Sequence, residues 1–248
     1  MRSFIWLIFL WSILTTTIYA QRPTAFASPY QVSWQVDVPM GGVAIGMGVA
    51  YLALNRKVQP LTQVQIQALD RNNISLFDRD ATYHWSRPIK VTSDVLLYSS
   101  MAMPSVLFLD KDIRKDYLQI GTIWAQTFAL TAAATSLTKV LVKRPRPYLY
   151  NPNVPFSYKQ KGDSQYSFFS GHTSVTAAMS FMTAKIYHDY HPNSKAVPWI
   201  WVGAATLPAI TGILRNQTGK HFWTDIITGY IIGAAIGILV PELHKIKI

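Results

Sequence analysis

The stretch Arg215-Asn216-Gln217-Thr218-Gly219-Lys220-His221-Phe222-Trp223-Thr224-Asp225 leads into an apolar run that continues to Val240. Read as a helix from about Phe222, this segment places His221 and Asp225 four residues apart on one face. A carboxylate that holds one imidazole N–H fixes the tautomer and leaves the other nitrogen free to attack, which is the logic of a catalytic triad without its serine. Alone, such a pair is as readily an ordinary surface hydrogen bond.

Two upstream stretches change that reading. Phe169-Ser170-Gly171-His172 precedes a run of small and apolar residues from Thr173 to Ala184. Its composition predicts a helix with Ser170 near the N-cap and His172 in the first turn. The free N–H groups of such a terminus favour an anion. Further upstream Lys139 closes an apolar segment, and Arg146-Pro147 follows after Pro145 has stopped the helix. Lys139, Arg146 and Arg215 thus stand at the edges of apolar segments, beside a helix N-terminus and two histidines. Phosphoryl transfer asks for these components: cations for the equatorial oxygens, an in-line nucleophile and an acid for the leaving oxygen.

Taken in this order and spacing, Lys139 with Arg146-Pro147, then Ser170-Gly171-His172, then Arg215 with His221 and Asp225 resemble the three signatures of the type 2 phosphatidic acid phosphatase superfamily. That superfamily also holds class A acid phosphatases and vanadium haloperoxidases. The similarity runs from about Leu118 to Leu239. It departs at Phe169, where the family usually has Pro, and at Leu214, where it usually has Ser. The resemblance implies that His221 attacks phosphorus to form a phosphohistidine, that Asp225 orients it, and that His172 protonates the leaving oxygen. It further implies that Lys139, Arg146, Arg215, the Ser170 hydroxyl and the Gly171 N–H hold the phosphate, with no metal and no cofactor. The residues agree: there is no Cys, no HExxH and no acidic cluster of the two-metal kind.

Composition sets the surroundings. Half of the 248 residues are hydrophobic, 14% are charged, and the net charge is +11. A basic excess suits anionic partners. No recognition helix or base-stacking motif accompanies it, so the expected partners are a phosphorylated lipid and the membrane, not nucleic acid. Residues 1–20, with Arg2 before an apolar run and Ala20 at the end, read as a secretory signal or a retained span. Residues 21–90 form an extracytoplasmic lead-in, an apolar segment from Val38 to Leu54 with Gly41, Gly42, Gly46 and Gly48, and a polar stretch read as one or two surface helices. The glycines suggest close helix packing. Residues 91–248 form the phosphatase core, with apolar segments Val91–Leu109 (Pro104 as a kink), Tyr117–Val142, His172–Tyr187, Val197–Leu214 and Phe222–Val240. His84 and Trp85, and the loop tyrosines Tyr148, Tyr150, Tyr158 and Tyr166, read as interfacial anchors or substrate contacts. Lys143 and Arg144 read as a solvated pair, and His188 and His191 as surface residues.

The expected fold is therefore all-α: an antiparallel helical bundle embedded in the membrane, with every motif at one end. The other end carries Lys111, Arg114, Lys115, the turn from His188 to Lys195 and the tail from His244 to Lys247. Positive-inside bias makes that end cytoplasmic and the catalytic end periplasmic, at the inner membrane of a bacterial envelope. Under a cleaved signal the Val38–Leu54 segment then runs the wrong way for Val91 to start outside. The competing expectations are a soluble periplasmic acid phosphatase of broad specificity, whose apolar helices form a globular core, and a non-catalytic bundle that binds phosphorylated lipids.

Overall fold

The computed structural model describes residues 28–160 and 162–246; the expected signal at 1–20 lies outside them. Six long helices carry the architecture: α1 (Trp34–Asn55), α2 (Arg87–Ala102), α3 (Tyr117–Val142), α4 (Gly171–Tyr190), α5 (Val197–Gln217) and α6 (Trp223–Leu243). Among the described residues the one β feature is an isolated bridge between Tyr30 and Lys245. The fold is the expected all-α antiparallel bundle.

α4 is the hub, packed by α2, α3, α5 and α6. Its sequence explains this position. Twelve of its 20 residues are buried, most of them Ala, Ser and Thr, so neighbouring backbones approach it from nearly every side. Hydroxyls on this helix pin its neighbours: Ser180 Oγ donates to the Ala204 carbonyl of α5 at 2.9 Å, and Ser174 Oγ meets Thr135 Oγ1 of α3 at 3.1 Å. A core of Ile113, Ile120, Ile123, Met179, Met182 and Ile186 fills the half of the bundle away from the motifs.

The closest crossing is α4 on α6. Gly229, Gly233 and Gly237 recur every four residues and form one stripe. A Cβ on them would lie 2.6, 2.1 and 2.4 Å from the carbonyl oxygens of Ser170, Ser174 and Ala178. Only glycine permits that approach. The glycines expected to pack do not: a Cβ on Gly42, Gly46 or Gly48 of α1 would meet nothing within 4 Å. α1 has no buried residue and rests mainly on α3, exposing Val38, Val43, Ile45, Val49 and Leu52 by more than half each. An apolar surface of this kind is matched to lipid and not to water. α1, α5, α6 and the segment Arg87–Leu109 are each long and apolar enough to cross a membrane.

Within that last segment Pro104 does not kink a continuous helix. α2 stops at Ala102, and Pro104 sits in the first turn of a 3₁₀ stretch, Met103–Leu109. α1 starts at the end away from the motifs, where Asp37 accepts from Gln126 and meets His244, and it finishes beside Tyr166, whose hydroxyl donates to Asn55. It is therefore a full crossing, and the polar stretch after it stays at the catalytic end. That stretch is not one or two surface helices. It breaks into short turns, Gln63–Gln67, Arg71–Asn73, Leu76–Arg79 and Asp80–Tyr83, that fold over the motif end.

Gly233→Ala should separate α4 from α6 and cost about 1–3 kcal/mol through overpacking. Gly46→Ala, with open space around it, should be neutral or slightly stabilising. Melting curves of the two purified variants in the same detergent compare them; equal shifts would contradict the assigned contact.

Candidate active site

α3 and α5 end, and α4 and α6 begin, at the same end of the bundle, and this brings the predicted residues together. Ser170 N donates to the Asp225 carbonyl at 3.0 Å, so the start of α4 is bonded to the start of α6. A Cβ on Gly171 would lie 3.8 Å from Lys139 Cε, which places the end of α3 against the same turn. Arg146 Nη1 stands 3.3 Å from His221 Nε2 and donates to the Lys220 carbonyl at 3.0 Å. Arg215, His172, Arg146 and Lys139 all exert a resolvable field on His221.

The orientation of His221 differs from the simple pair. Its Nδ1–H donates to the Ser167 carbonyl at 2.7 Å, while Asp225 Oδ2 lies farther off, at 3.6 Å. Asp225 acts one step removed. It accepts from Ser167 Oγ at 2.5 Å and from the Phe222 N–H at 2.9 Å, so it fixes the residue whose carbonyl fixes the imidazole. The consequence is the same: Nδ1 carries the proton and Nε2 presents a lone pair toward Arg146. Burial, then Lys139, Arg146 and Arg215, hold the His221 pKa well below the usual imidazole range, so the ring is neutral and nucleophilic at physiological pH.

His172 is anchored by a residue the motifs do not contain. Its Nε2 lies 2.8 Å from Asp94 Oδ1 on α2, and the same carboxylate meets Lys90 at 2.5 Å and Arg215 Nη1 at 3.3 Å. Arg215 also donates to Ser93 Oγ at 3.1 Å. A carboxylate inside an apolar segment is itself a signal of function. Ser170 is the N-cap of α4, as expected: its hydroxyl is buried, meets Thr173 Oγ1 at 2.9 Å and accepts from the Thr173 N–H at 3.4 Å. Lys139 Nζ donates to the Tyr166 carbonyl at 2.7 Å, tying the end of α3 to the 147–168 loop.

Other readings are corrected. Arg144 is not a solvated residue: it pairs with Asp225 and, at 2.9 Å, with Asp78, and it donates to Thr224 Oγ1 at 2.7 Å. Asp78, 2% exposed, accepts from Thr224 N at 3.0 Å and so caps α6 from the 56–86 segment. Trp85 packs into an aromatic cluster at the motif end. It stacks edge-on against Tyr158 at 4.4 Å, and Tyr158 against Tyr148 at 5.3 Å. These two tyrosines flank the ammonium of Lys220, at 4.8 and 5.0 Å from their ring centres. His84 bonds Asn216 through Nδ1 at 2.8 Å. His188 and His191 lie at the opposite end, where His191 meets Asp110 at 3.0 Å.

The site is thus a buried, neutral imidazole among three cations at one end of an apolar helical bundle. The chain belongs to the PAP2 superfamily, whose family model matches residues 121–247. It is similar to a lipid A 4'-phosphatase of Porphyromonas gingivalis, 27% identical over 150 residues that make up 58% of this chain and 59% of that one. A lipid A 1-phosphatase of the same organism is 37% identical over 83 residues, 33% of this chain and 16% of that one. The match therefore spans well under two thirds of either relative. Among solved structures, a transmembrane PAP2-type phosphatidylglycerolphosphate phosphatase from Bacillus subtilis shares the fold, with a TM-score of 0.51 and 18% identity over 80% of this chain and 94% of that one.

Arg144→Ala should leave two buried carboxylates, Asp78 and Asp225, without a counter-charge and destabilise the fold by about 3–5 kcal/mol. Adding Asp78→Asn to it should restore part of that loss. A double-mutant cycle on unfolding in detergent measures the coupling, and strict additivity would show that no such pair exists.

Proposed function

We propose that the chain is a metal-independent phosphatase of the bacterial inner membrane that hydrolyses a lipid phosphate or diphosphate through a phosphohistidine at His221. The observation that carries this is the Nδ1–H bond from His221 to the Ser167 carbonyl, which leaves Nε2 unprotonated and aimed at Arg146. The substrate belongs to the class of lipid A, undecaprenyl diphosphate, phosphatidylglycerophosphate or phosphatidate, consistent with the names of the relatives.

In the first step Nε2 attacks phosphorus in line with the leaving oxygen. Lys139, Arg146 and Arg215 spread the equatorial charge in a site already set for it. His172, held at Nε2 by Asp94, acts as the imidazolium that an anionic substrate stabilises: it gives its Nδ1 proton to the leaving oxygen and then takes one from the water that releases phosphate. Asp225, through Ser167, is a positioning residue. The soluble alternative is disfavoured by α1, whose apolar face would stand in water.

The catalytic end is assigned to the periplasmic side. Part of its positive charge belongs to the site itself, since Arg146, Arg215 and Lys220 are buried and Arg144 is paired, while Arg56, Lys57, Arg87 and Lys143 stay exposed there. The opposite end carries Lys111, Arg114 and Lys115, the last paired with Asp112 at 2.7 Å, and we read this basic turn as cytoplasmic. With the motif end outside, Ser28 and His244, which lie at the opposite end of the bundle, would face the cytoplasm. A signal cleaved at Ala20 would leave only seven residues before Ser28, too few to recross a bilayer that takes about 20 as helix. The external catalytic face and the cleaved signal therefore exclude one another.

His221→Gln should lower phosphate release by at least about 10³-fold. Alkali-quenched label from a phosphorus-labelled substrate should sit on His221, vanadate should inhibit, and EDTA should have no effect; label on another residue would overturn the assignment. Because the chain has no cysteine, sidedness can be read from single replacements. In intact spheroplasts an impermeant maleimide should modify Leu76→Cys and spare Lys111→Cys. The reverse pattern would place the catalytic end in the cytoplasm and restore the exported signal.

A further inference from the structure

Arg146 faces two ways. Nη1 looks inward, 3.3 Å from the nucleophilic Nε2 of His221. Nη2 looks outward, 3.3 Å from Asp163 Oδ2, while Nε donates to the Asp163 carbonyl at 2.8 Å.

The outward seat is more than one arginine nitrogen. Lys220, the residue before the nucleophile, is 4% exposed, and its ammonium is flanked by Tyr148 and Tyr158. Its one ion-pair partner among the described residues is the same Asp163 Oδ2, at 3.6 Å, too far for a full hydrogen bond. The Tyr148 hydroxyl beside it is buried and has no partner. Burial, then Arg146, pushes the Lys220 pKa down to about 7, and Asp163 offsets only part of that. Asp163 answers in kind: burial raises its pKa, but Arg146 and Lys220 outweigh that and hold it below the usual carboxylate range.

The charges at the mouth favour a substrate with more than one phosphate. A phosphate monoester carries up to about two negative charges, and the motif trio Lys139, Arg146 and Arg215 suffices for it. Lys220 and Lys90 remain, and both lie within the field of the cluster. Against them stand Asp94, already shared by His172, Arg215 and Lys90, and Asp163, whose side chain is 47% exposed. Asp163 is the anion most easily displaced.

We infer that Lys220, Arg146 Nη2 and the Tyr148–Tyr158 pair form a second anion seat, occupied here by the Asp163 carboxylate, and that the second phosphate of a lipid diphosphate displaces Asp163 to fill it. The inference rests on the phosphatase reading and extends it to the substrate. Nε2 of His221 bonds to the terminal phosphorus, and the bond from that phosphorus to the bridging oxygen breaks. The electron pair leaves with the bridging oxygen, which becomes an oxygen of the lipid monophosphate held at the second seat. Water then cleaves the phosphorus–nitrogen bond, releasing inorganic phosphate and the free imidazole.

The test uses full-length protein in detergent with an isoprenyl diphosphate and the monophosphate of the same chain. The kcat/KM of the parent protein should favour the diphosphate by tenfold or more. Lys220→Met should reduce that ratio at least tenfold, Lys220→Arg should restore most of it, and Asp163→Asn should lower KM for the diphosphate more than for the monophosphate. A second measurement does not depend on turnover: methylenediphosphonate should raise the melting temperature of the inactive His221→Gln protein more than inorganic phosphate does, and Lys220→Met should erase the difference. A parent protein without diphosphate preference, or a Lys220→Met variant that lowers both substrates equally, would overturn the second seat. Should neither lipid be hydrolysed while the diphosphonate effect persists, the seat stands and the phosphatase reading falls.

Discussion

The contact on which the site depends is the approach of α6 to α4 along Gly229, Gly233 and Gly237. These glycines bring the α6 backbone against the carbonyls of Ser170, Ser174 and Ala178. The first of those carbonyls belongs to the residue that caps α4 and whose N–H is bonded to Asp225. One crossing therefore fixes the separation between the turn that carries His172 and the turn that carries His221 and Asp225. In a membrane, where apolar surface gains nothing by leaving lipid, small residues that admit close backbone packing are the main means of holding two helices at a defined distance. Catalytic geometry here is set by side chains that are absent.

The electrostatics follow from that frame. Arg146, Arg215 and Lys220 are nearly inaccessible, and the buried imidazole of His221 sits among them. Gathering like charges is costly unless carboxylates balance them. The carboxylates come from other elements: Asp94 from α2, Asp225 from α6, Asp163 from the 147–168 loop and Asp78, through Arg144, from the 56–86 segment. Each balances a cation without reaching His221 Nε2. Such a partly compensated cluster is preorganised for an anion and needs no rearrangement of its dipoles when charge develops in the transition state.

The three motifs and the helix set were legible because they depend on local signals: apolar periodicity, a cap at Ser170, a stop at Pro145 and i,i+4 spacing at His221 and Asp225. Contacts made through distant backbone were not. Ser167 gives no sign in sequence that its carbonyl holds an imidazole 54 residues away. Arg144 looks like one more basic loop residue until Asp78 folds down from a segment 66 residues earlier. Glycine content likewise misleads without a partner. The four glycines near the start of α1 suggested packing, yet space is open around Gly42, Gly46 and Gly48, whereas the stripe on α6 is filled. Asp94 was the one missed residue with a visible mark, an acid within an apolar span.

The 56–86 segment and the 147–168 loop explain why a bundle whose motifs lie at helix ends does not leave its nucleophile open to water. Arg71 donates to the Tyr150 carbonyl, Asn151 to the Tyr83 carbonyl, and Gln165 to the Gln59 carbonyl, so the two irregular segments are sewn together over the helix ends. Beneath them His221 is 1% exposed. Excluding water strengthens every charge interaction in the site and keeps the imidazole neutral, but it also closes the path for a substrate. Asp163, its side chain 47% exposed, marks the weak point of that cover. In the proposed second seat, a lipid headgroup with its own negative charge would replace the one internal anion that is not built into a helix, and its binding would then supply both the entry and a counter-charge.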